Sequence, residues 1–253
     1  MEPFLRDEQF ARLYALLQQE PKIHTKAPAR ARLFLEAVCW MARSGAQWRL
    51  LPASYGAWNS VYKRFARWDD LGVWGRLFAQ VADDPDLQSV MVDATVVRAH
   101  ACAAGAPKKN GDQAAQGLGR SRGGFGTKIH VLVDALGNPL KFLLTGGGGG
   151  DNPQALPLLE GVQAGEVLAD RGYDADATIA YIEEHVHAQV TIPPTSRRVV
   201  PRACDYYAYK ERHLIECFIG KLKHFRRVFS RFDKYARRYL AFIHFVSTCI
   251  WLR

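Results

Sequence analysis

The order of strand-like and helix-like segments after residue 86 is the feature that most restricts the fold of this chain. A strand-like run at 89–93 is followed by two alternating runs, 127–134 and 140–145, joined by a Leu-Gly-Asn-Pro turn. Two further strand-like runs, 166–170 and 190–192, each follow a helix-like run. A hairpin followed by alternating helices and strands is typical of a mixed sheet with flanking helices. The sequence therefore predicts an α/β fold for this part of the chain.

The first 85 residues have a different character. Apolar residues recur there at helical spacing in four short segments, and five of the six tryptophans lie among them. We therefore expect a small all-α N-terminal domain, 1–85, ahead of the α/β domain, 86–253. Its third helix carries Lys63, Arg64 and Arg67, which suits a helix-turn-helix DNA-binding domain. Short helices are as common in packing and dimerisation domains, so both interpretations stay open.

Positive charge is unevenly distributed. The chain of 253 residues has 34 Lys+Arg and 25 Asp+Glu, a formal net charge of +9, and residues 197–238 alone hold 13 of the basic residues and only four acids. A smaller basic stretch at 98–128 includes 101–126, which lacks apolar periodicity and is predicted to be a basic loop. Such clusters form either solvated faces or surfaces that follow nucleic-acid phosphates. Charge alone does not decide between them.

Several classes of protein are disfavoured by simple patterns. Five scattered cysteines without a C-x-x-C pair disfavour a disulfide scaffold or a zinc ribbon and favour a reducing, cytoplasmic location. No apolar run approaches the roughly 18–20 residues that span a bilayer. The glycine tract 146–150 lacks the Lys-Ser/Thr of a nucleotide-binding loop, so we interpret it as a flexible linker.

Two acids mark the ends of predicted strands, and a third lies on a predicted helix. Asp93 and Asp170 close the runs 89–93 and 166–170. Ligands gather beyond strand ends in α/β sheets, although a single strand-terminal Asp often only caps a turn. Together with Glu216 these acids offer three carboxylates, which are the hard oxygen ligands that Mg²⁺ prefers.

Glu216 lies within a polar stripe on a predicted long helix, 207–229, which precedes a predicted terminal helix, 234–252. Tyr209, Arg212, Glu216 and Lys223 fall within an arc of roughly 60° if the helix is regular. An Arg212–Glu216 ion pair alone would not require the other two residues to share that face. The stripe therefore indicates a surface that combines a carboxylate with groups able to contact phosphate.

These motifs resemble those of bacterial insertion-sequence DDE transposases, in particular the insertion sequence five family. The resemblance begins with the pattern Y-x2-R-x3-E-x6-K and covers nearly the whole chain. The other motifs are V-D-A-T, G-R-S-R-G-G, T-K-I-H, A-D-R-G-Y-D, I-P-P and Y-K-E-R, with G-x-x-W-R-x-L-P and Y-x-R-F-x-R-W near the N-terminus. The chain departs from the family at 146–152, where five glycines, Asp and Asn replace a G-x-x-H-D-like segment.

The resemblance implies a ribonuclease-H-like mixed sheet with flanking helices, preceded by the small helical domain. It implies that Asp93, Asp170 and Glu216 are the catalytic residues and hold two Mg²⁺ (or Mn²⁺) ions. Transposon-end inverted-repeat DNA would be cleaved and its 3′-OH joined to target DNA by a homodimer in the cytoplasm, at the nucleoid. The residues expected to contact DNA are Tyr209, Arg212, Lys223, Arg226, Arg227, Arg120, Arg122 and Lys128.

Two alternatives remain at this point. A catalytically silent or domesticated relative would keep the fold and bind DNA without cutting it. A general Mg²⁺-dependent nuclease would cut DNA without recognising end sequences and without joining strands.

Overall fold

The computed structural model describes residues 4–25, 27–106, 111–121, 123–196 and 198–253. The chain forms two compact units, each assembled from separate stretches of sequence. The helical unit comprises Met1–Asp83, Ala99–Asn110 and Lys221–Arg253, and the sheet unit comprises Asp84–Arg98 and Gly111–Gly220. The division into 1–85 and 86–253 follows consecutive sequence and stays a prediction.

The helical unit begins with four helices whose ends follow local sequence signals. Pro28 occupies the first turn of the second helix, where its missing N–H costs no hydrogen bond, and Gly45 ends that helix in the left-handed conformation at φ 62°. The elements of this unit are α1 Asp7–Gln19, α2 Pro28–Ser44, α3 Trp58–Asp70, α4 Val73–Val81, α8 Arg226–Phe229, β7 Ser230–Arg231 and α9 Ala236–Trp251.

Aromatic side chains from both ends of the sequence form the core of the helical unit. The rings of Phe65 on α3 and Phe242 on α9 stack with centroids 4.4 Å apart. Trp74 on α4 packs against Phe65 and Phe245, and its indole N–H donates to the Phe65 carbonyl at 3.2 Å. The C-terminal helix therefore completes the core that the N-terminal helices begin.

The sheet unit is built on a mixed sheet. Its elements are β1 Ser89–Ala99, β2 Gly119–Ser121, β3 Gly124–Asp134, β4 Pro139–Gly146, α5 Ala155–Leu159, β5 Glu166–Ala169, α6 Asp176–Tyr181, β6 Gln189–Thr191 and the first part of α7 His213–Lys223. A short π-helical turn, Ile182–Val186, continues α6. Apolar side chains from β1, β5 and the helices α5 and α6 form its core.

Strand order and direction confirm the predicted ribonuclease-H-like sheet. β3 pairs antiparallel with β4 and with β1, whereas β5 pairs parallel with both β1 and β6. The order is therefore β4-β3-β1-β5-β6. The short strand β2 pairs antiparallel with the first three residues of β3. Among the described residues, none of the helices is both long and apolar enough to cross a bilayer.

The first strand is longer than predicted. Instead of ending at Asp93, β1 continues to Ala99 because it pairs with β3 along nearly its whole length, from Val90 opposite Asp134 to Arg98 opposite Gly126. The prediction that Asp93 closes a strand was wrong. Asp93 lies in the middle of β1, whereas Asp170 directly follows β5 as predicted.

The predicted basic loop also contains regular structure. A 3₁₀ turn at Ala101–Ala104, the strand β2 and the first residues of β3 all fall within 101–126. β2 is only three residues long and none of them is buried, so the sequence shows no alternation of apolar residues there. Residues 107–110 of this loop lie outside the described residues.

The predicted long helix 207–229 is three separate elements. A 3₁₀ turn, Ala208–Arg212, precedes α7, which ends at Lys223, and α8 follows two residues later. Phe225 interrupts the helix because its backbone is extended (φ −89°, ψ 105°) and its ring is buried, with the Arg43 guanidinium 4.5 Å from the ring centre. Burial of one aromatic ring thus overrides local helix propensity.

Candidate active site

Two of the predicted acids lie at neighbouring positions of the sheet, Asp93 on β1 and Asp170 directly after β5. Val92 of β1 is in register with Ala169 of β5, so the next residues along the two strands are Asp93 and Asp170. The Asp170 side chain also accepts a hydrogen bond from the Gly172 N–H at 2.8 Å, which fixes the turn after β5. The parallel register of the sheet, and not proximity in sequence, therefore pairs the two carboxylates.

The Asp93 carboxyl lies in an environment that resists ionisation. Burial raises the pKa of Asp93, and the negative charge of Asp170 raises it further. The Ala94 N–H, which donates to Asp93 at 2.7 Å, and the Arg212 guanidinium lower the pKa without cancelling those effects. A cation beside the Asp93 carboxyl therefore favours its ionised form.

Arg212 joins Asp93 to the third acid. Its Nη1 donates to Asp93 Oδ2 at 2.9 Å, and its Nη2 donates to Glu216 Oε1. Burial lowers the pKa of Arg212, but the Asp93 and Glu216 carboxylates and the Tyr209 phenol together raise it above its ordinary value. Because Tyr209 and Arg212 lie on the 3₁₀ turn and Glu216 on α7, the predicted single helical face does not exist. The contact between Arg212 and Glu216 nevertheless forms.

A second polar cluster lies on β3 and the glycine tract. Lys128 Nζ is 2.8 Å from Asp151 Oδ1 and donates to the Gly149 carbonyl at 2.7 Å. His130 is fully buried, its Nε2 lies 2.8 Å from Thr145 Oγ1, and its Nδ1 lies 3.8 Å from Asp151. Burial lowers the pKa of His130 to about 4, so the ring is neutral at pH 7. Neither Asp151 nor His130 was predicted to be a site residue, although His130 belongs to the T-K-I-H motif and Asp151 to the segment that departs from the family.

The charges of both this cluster and the carboxylate pair act on Tyr173. Its side chain is 1% exposed, and no described residue forms a hydrogen bond with its hydroxyl. Burial raises the pKa of Tyr173, and so do the negative charges of Asp151, Asp93 and Asp170. The signal that could have identified it was its place in the A-D-R-G-Y-D motif, three residues after Asp170.

The glycine tract is packed and is not a flexible linker, contrary to the prediction. Gly147 donates to the Gly126 carbonyl at 3.0 Å, and β4 extends to Gly146. A Cβ atom at Gly148 would overlap the backbone carbonyl oxygen of Arg120, so the close approach of the tract to β2 requires glycine there. The tract holds Asp151 beside Lys128.

The residues predicted to bind DNA have different environments. Arg120 and Arg226 are exposed, and Tyr209 and Lys223 are half-buried. Arg227 is only 4% exposed, forms a two-point ion pair with Asp233 and donates to the Ala46 carbonyl, so it has no free donor face for phosphate. The ammonium group of Lys128 is likewise held by Asp151 and Gly149. Arg122 lies outside the described residues.

The three acids suit divalent ions by their chemistry. Asp93, Asp170 and Glu216 supply oxygen ligands of the kind Mg²⁺ prefers. No group of three or more acid, His or Cys side chains among the described residues is already spaced to hold a metal ion. Arg212 instead places a cation against two of the three carboxylates. The donor set therefore fits divalent ions, provided that Arg212 moves away from it.

Comparison with known families matches almost all of the chain. A model described as a putative transposase of the IS4/5 family matches residues 5–78, and a transposase DDE domain model matches residues 84–250. The chain belongs to the DDE transposases. The transposase is similar to a putative transposase for insertion sequence element IS6501 from Brucella ovis, with 45% identity over 50% of this chain and 98% of that protein.

Other relatives are more distant. A putative transposase for insertion sequence element IS402 from Burkholderia cepacia is 29% identical over 47% of the chain and 59% of its own length. Among solved structures, the piggyBac transposase synaptic complex with hairpin DNA aligns with a TM-score of 0.43 and 11% identity over 78% of the chain. This transposase spans about half the length of that protein.

Proposed function

We propose that this transposase cleaves the ends of its transposon and joins the freed 3′-OH to target DNA by two-metal-ion phosphodiester chemistry. The observation that carries the proposal is the pairing of Asp93 and Asp170 on adjacent parallel strands, with Glu216 linked to Asp93 through Arg212. Asp93, Asp170 and Glu216 would hold the ions. Bound Mg²⁺ or Mn²⁺ would activate the attacking hydroxyl and stabilise the leaving oxygen.

Arg212 has a separate task in this proposal. Its planar guanidinium fits a phosphate with two hydrogen bonds as well as it fits a carboxylate. A DNA phosphate arriving at the site offers Arg212 an alternative partner, and transfer of Arg212 to that phosphate frees Asp93 and Glu216. Tyr209, whose ring centre lies 5.8 Å from the Arg212 guanidinium carbon, limits the directions in which Arg212 moves.

DNA binding would use cations that are exposed. Arg120 on β2 and Arg226 at the start of α8 have no acidic partner among the described residues and are free to contact phosphates. Since two transposon ends must be handled together, we expect a homodimer that acts on DNA in the cytoplasm.

A nicking assay on labelled transposon-end DNA tests the proposal, with the inverted repeats that flank the reading frame as substrate. The wild type should nick the ends only with Mg²⁺ or Mn²⁺, whereas Asp170→Asn should lose at least about 1,000-fold in rate while binding the same DNA equally well. The loss reflects removal of one metal ligand. The Asp176→Asn variant, which changes an exposed acid after β5, is the matched control and should retain the wild-type rate.

Two results would replace the proposal with an alternative. Equal DNA binding by both proteins without cleavage by either indicates a silent relative of the same fold. Metal-dependent cleavage of any duplex, without a preference for the ends and without strand joining, indicates a general nuclease.

A further inference from the structure

An open cavity within the helical unit has no role in the proposed chemistry. Its volume is about 550 Å³, within the range of about 300–1,000 Å³ typical of small-ligand sites. It lies at the 3₁₀ turn Trp48–Leu50, the start of α3 and the segment before α9. We call it the aromatic cavity because its walls include the rings of Trp48, Trp58, Tyr62, Phe232 and Tyr235.

The rings of the aromatic cavity are only partly covered. Trp48, Trp58 and Tyr62 are all half-buried, whereas the tryptophans of the core, Trp68 and Trp74, are at most 3% exposed. Trp48 and Tyr62 meet edge to face with ring centres 5.3 Å apart, which fixes both rings. Partly exposed aromatic rings of this kind provide stacking surfaces for a flat ligand.

The charge lining the aromatic cavity is positive. Its one acid, Asp233, is held by Arg227 at 3.0 Å, and Arg238 is held by Asp69 and Asp70. Two further cations, Arg49 and Lys234, are exposed and form no ion pair with a described residue. The Arg49 guanidinium carbon lies 5.8 Å from the centre of the Trp58 ring. Stacking surface and uncompensated positive charge therefore occur together.

We propose that the aromatic cavity binds one unstacked nucleotide of the DNA on which the transposase acts, with its base on Trp58 and Tyr62 and the adjoining phosphates at Arg49 and Lys234. A base inside a duplex presents only its edges, so rings of this kind reach it only after it leaves the stack. Aromatic rings combined with cations are the usual means of holding single-stranded nucleic acid. The inference rests on the proposed function for the identity of the ligand.

A single-strand binding experiment on the full chain tests this site. The probe is a fluorescein-labelled single-stranded oligothymidylate of about twelve nucleotides, a length within the range of about 4–16 nucleotides that a single-strand binding site covers. Fluorescence anisotropy is recorded in the presence of a chelator, so that no strand is cut. Trp58→Ala should weaken binding about tenfold through loss of stacking, and Arg49→Ala should weaken it about threefold through loss of a phosphate contact.

Matched controls lie elsewhere in the helical unit. Arg12 of α1 and Lys22, which follows α1, are exposed cations that do not line the aromatic cavity, so Arg12→Ala and Lys22→Ala should each change the affinity less than twofold. Trp58→Phe keeps a ring and should remain within about threefold of the wild type. If Trp58→Ala has lost its wild-type circular dichroism, Arg49→Ala and a crosslinking measurement decide the question.

The crosslinking measurement uses wild-type protein and an oligothymidylate containing 5-iododeoxyuridine. Photocrosslinks should map to residues 48–62 or 232–235, and crosslinks confined to other segments would overturn the proposal. The proposal would also fail if the wild type does not bind the oligothymidylate. It would fail likewise if Trp58→Ala changes the oligomeric state of the protein but not its affinity for the oligothymidylate. Because the chelator removes catalysis, this result is independent of whether the nicking assay succeeds.

Discussion

Three arginines of the helical unit and Arg212 of the sheet unit are held by their partners in different ways. In the helical unit Arg227, Arg231 and Arg238 are at most 8% exposed, and their guanidinium groups are held by acids and backbone carbonyls. In the sheet unit Arg212 is also paired, but one of its partners, Glu216, has a side chain that is 56% exposed. The first group is part of the core, whereas Arg212 has partners that it can exchange.

The internal pairing of arginines lowers the positive charge that the basic segment can present to DNA. The basic segment 197–238 was a candidate surface for DNA, yet much of its charge is neutralised internally. Arg198 and Arg202 pair with Asp174 and Asp176, in addition to the arginines of the helical unit. A count of basic residues therefore overstates the charge available to phosphates. The charge available to phosphates is given instead by the exposed cations that have no acidic partner.

The largest expected effect concerns the buried arginines. Arg238→Ala should lower the free energy of unfolding by about 3–5 kcal/mol, because it leaves Asp69, whose side chain is only 11% exposed, without its partner. Urea denaturation followed by circular dichroism measures this change. The neighbouring Arg237, with a 57% exposed side chain, also pairs with Asp70, and Arg237→Ala should cost less than about 1 kcal/mol. If Arg238→Ala and Arg237→Ala lose the same free energy of unfolding, burial does not set the contribution of these arginines to stability.

The next prediction concerns the exchangeable arginine. Arg212→Gln removes a cation from Asp93 and Glu216, so in the absence of DNA the site should bind Mn²⁺ about tenfold more tightly. Isothermal titration calorimetry measures the affinity directly, without reference to cleavage. Arg198→Gln, which disrupts the pairs with Asp174 and Asp176, should leave the Mn²⁺ affinity unchanged. Unchanged or weaker binding by Arg212→Gln would show that Arg212 does not compete with metal ions.

The last prediction concerns the dependence of stability on pH. The His130 pKa is lowered to about 4 in the folded protein, below its ordinary value of about 6.5, so folding favours the neutral ring. The resulting stabilisation is complete above pH 6.5 and is lost as the pH falls towards 4, by about 1 kcal/mol per unit. Urea denaturation of His130→Gln between pH 6.5 and 5 should show a shallower slope than the wild type. His24→Gln, at an exposed position, should retain the wild-type slope.

The sequence predicted much of the sheet unit. The strands β3, β4, β5 and β6 and the mixed sheet follow from alternation and turn residues, which are local signals. The family resemblance predicts Asp93, Asp170 and Glu216 as the catalytic residues, which stays a prediction. Asp151 and Tyr173 were missed as possible site residues because their position relative to the acids depends on the packing of the glycine tract and of the turn after β5.

What the sequence by itself determined is the type of most elements and the family, and it marked three acids as candidate site residues, because periodicity and motifs are properties of neighbouring residues. Only the tertiary structure decided how the charges are partnered. Burial placed Phe225 in the core and ended α7, pairing with β3 extended β1 beyond Asp93, and parallel register brought Asp93 beside Asp170. These outcomes depend on contacts between residues far apart in the chain, whose energies exceed local conformational preferences.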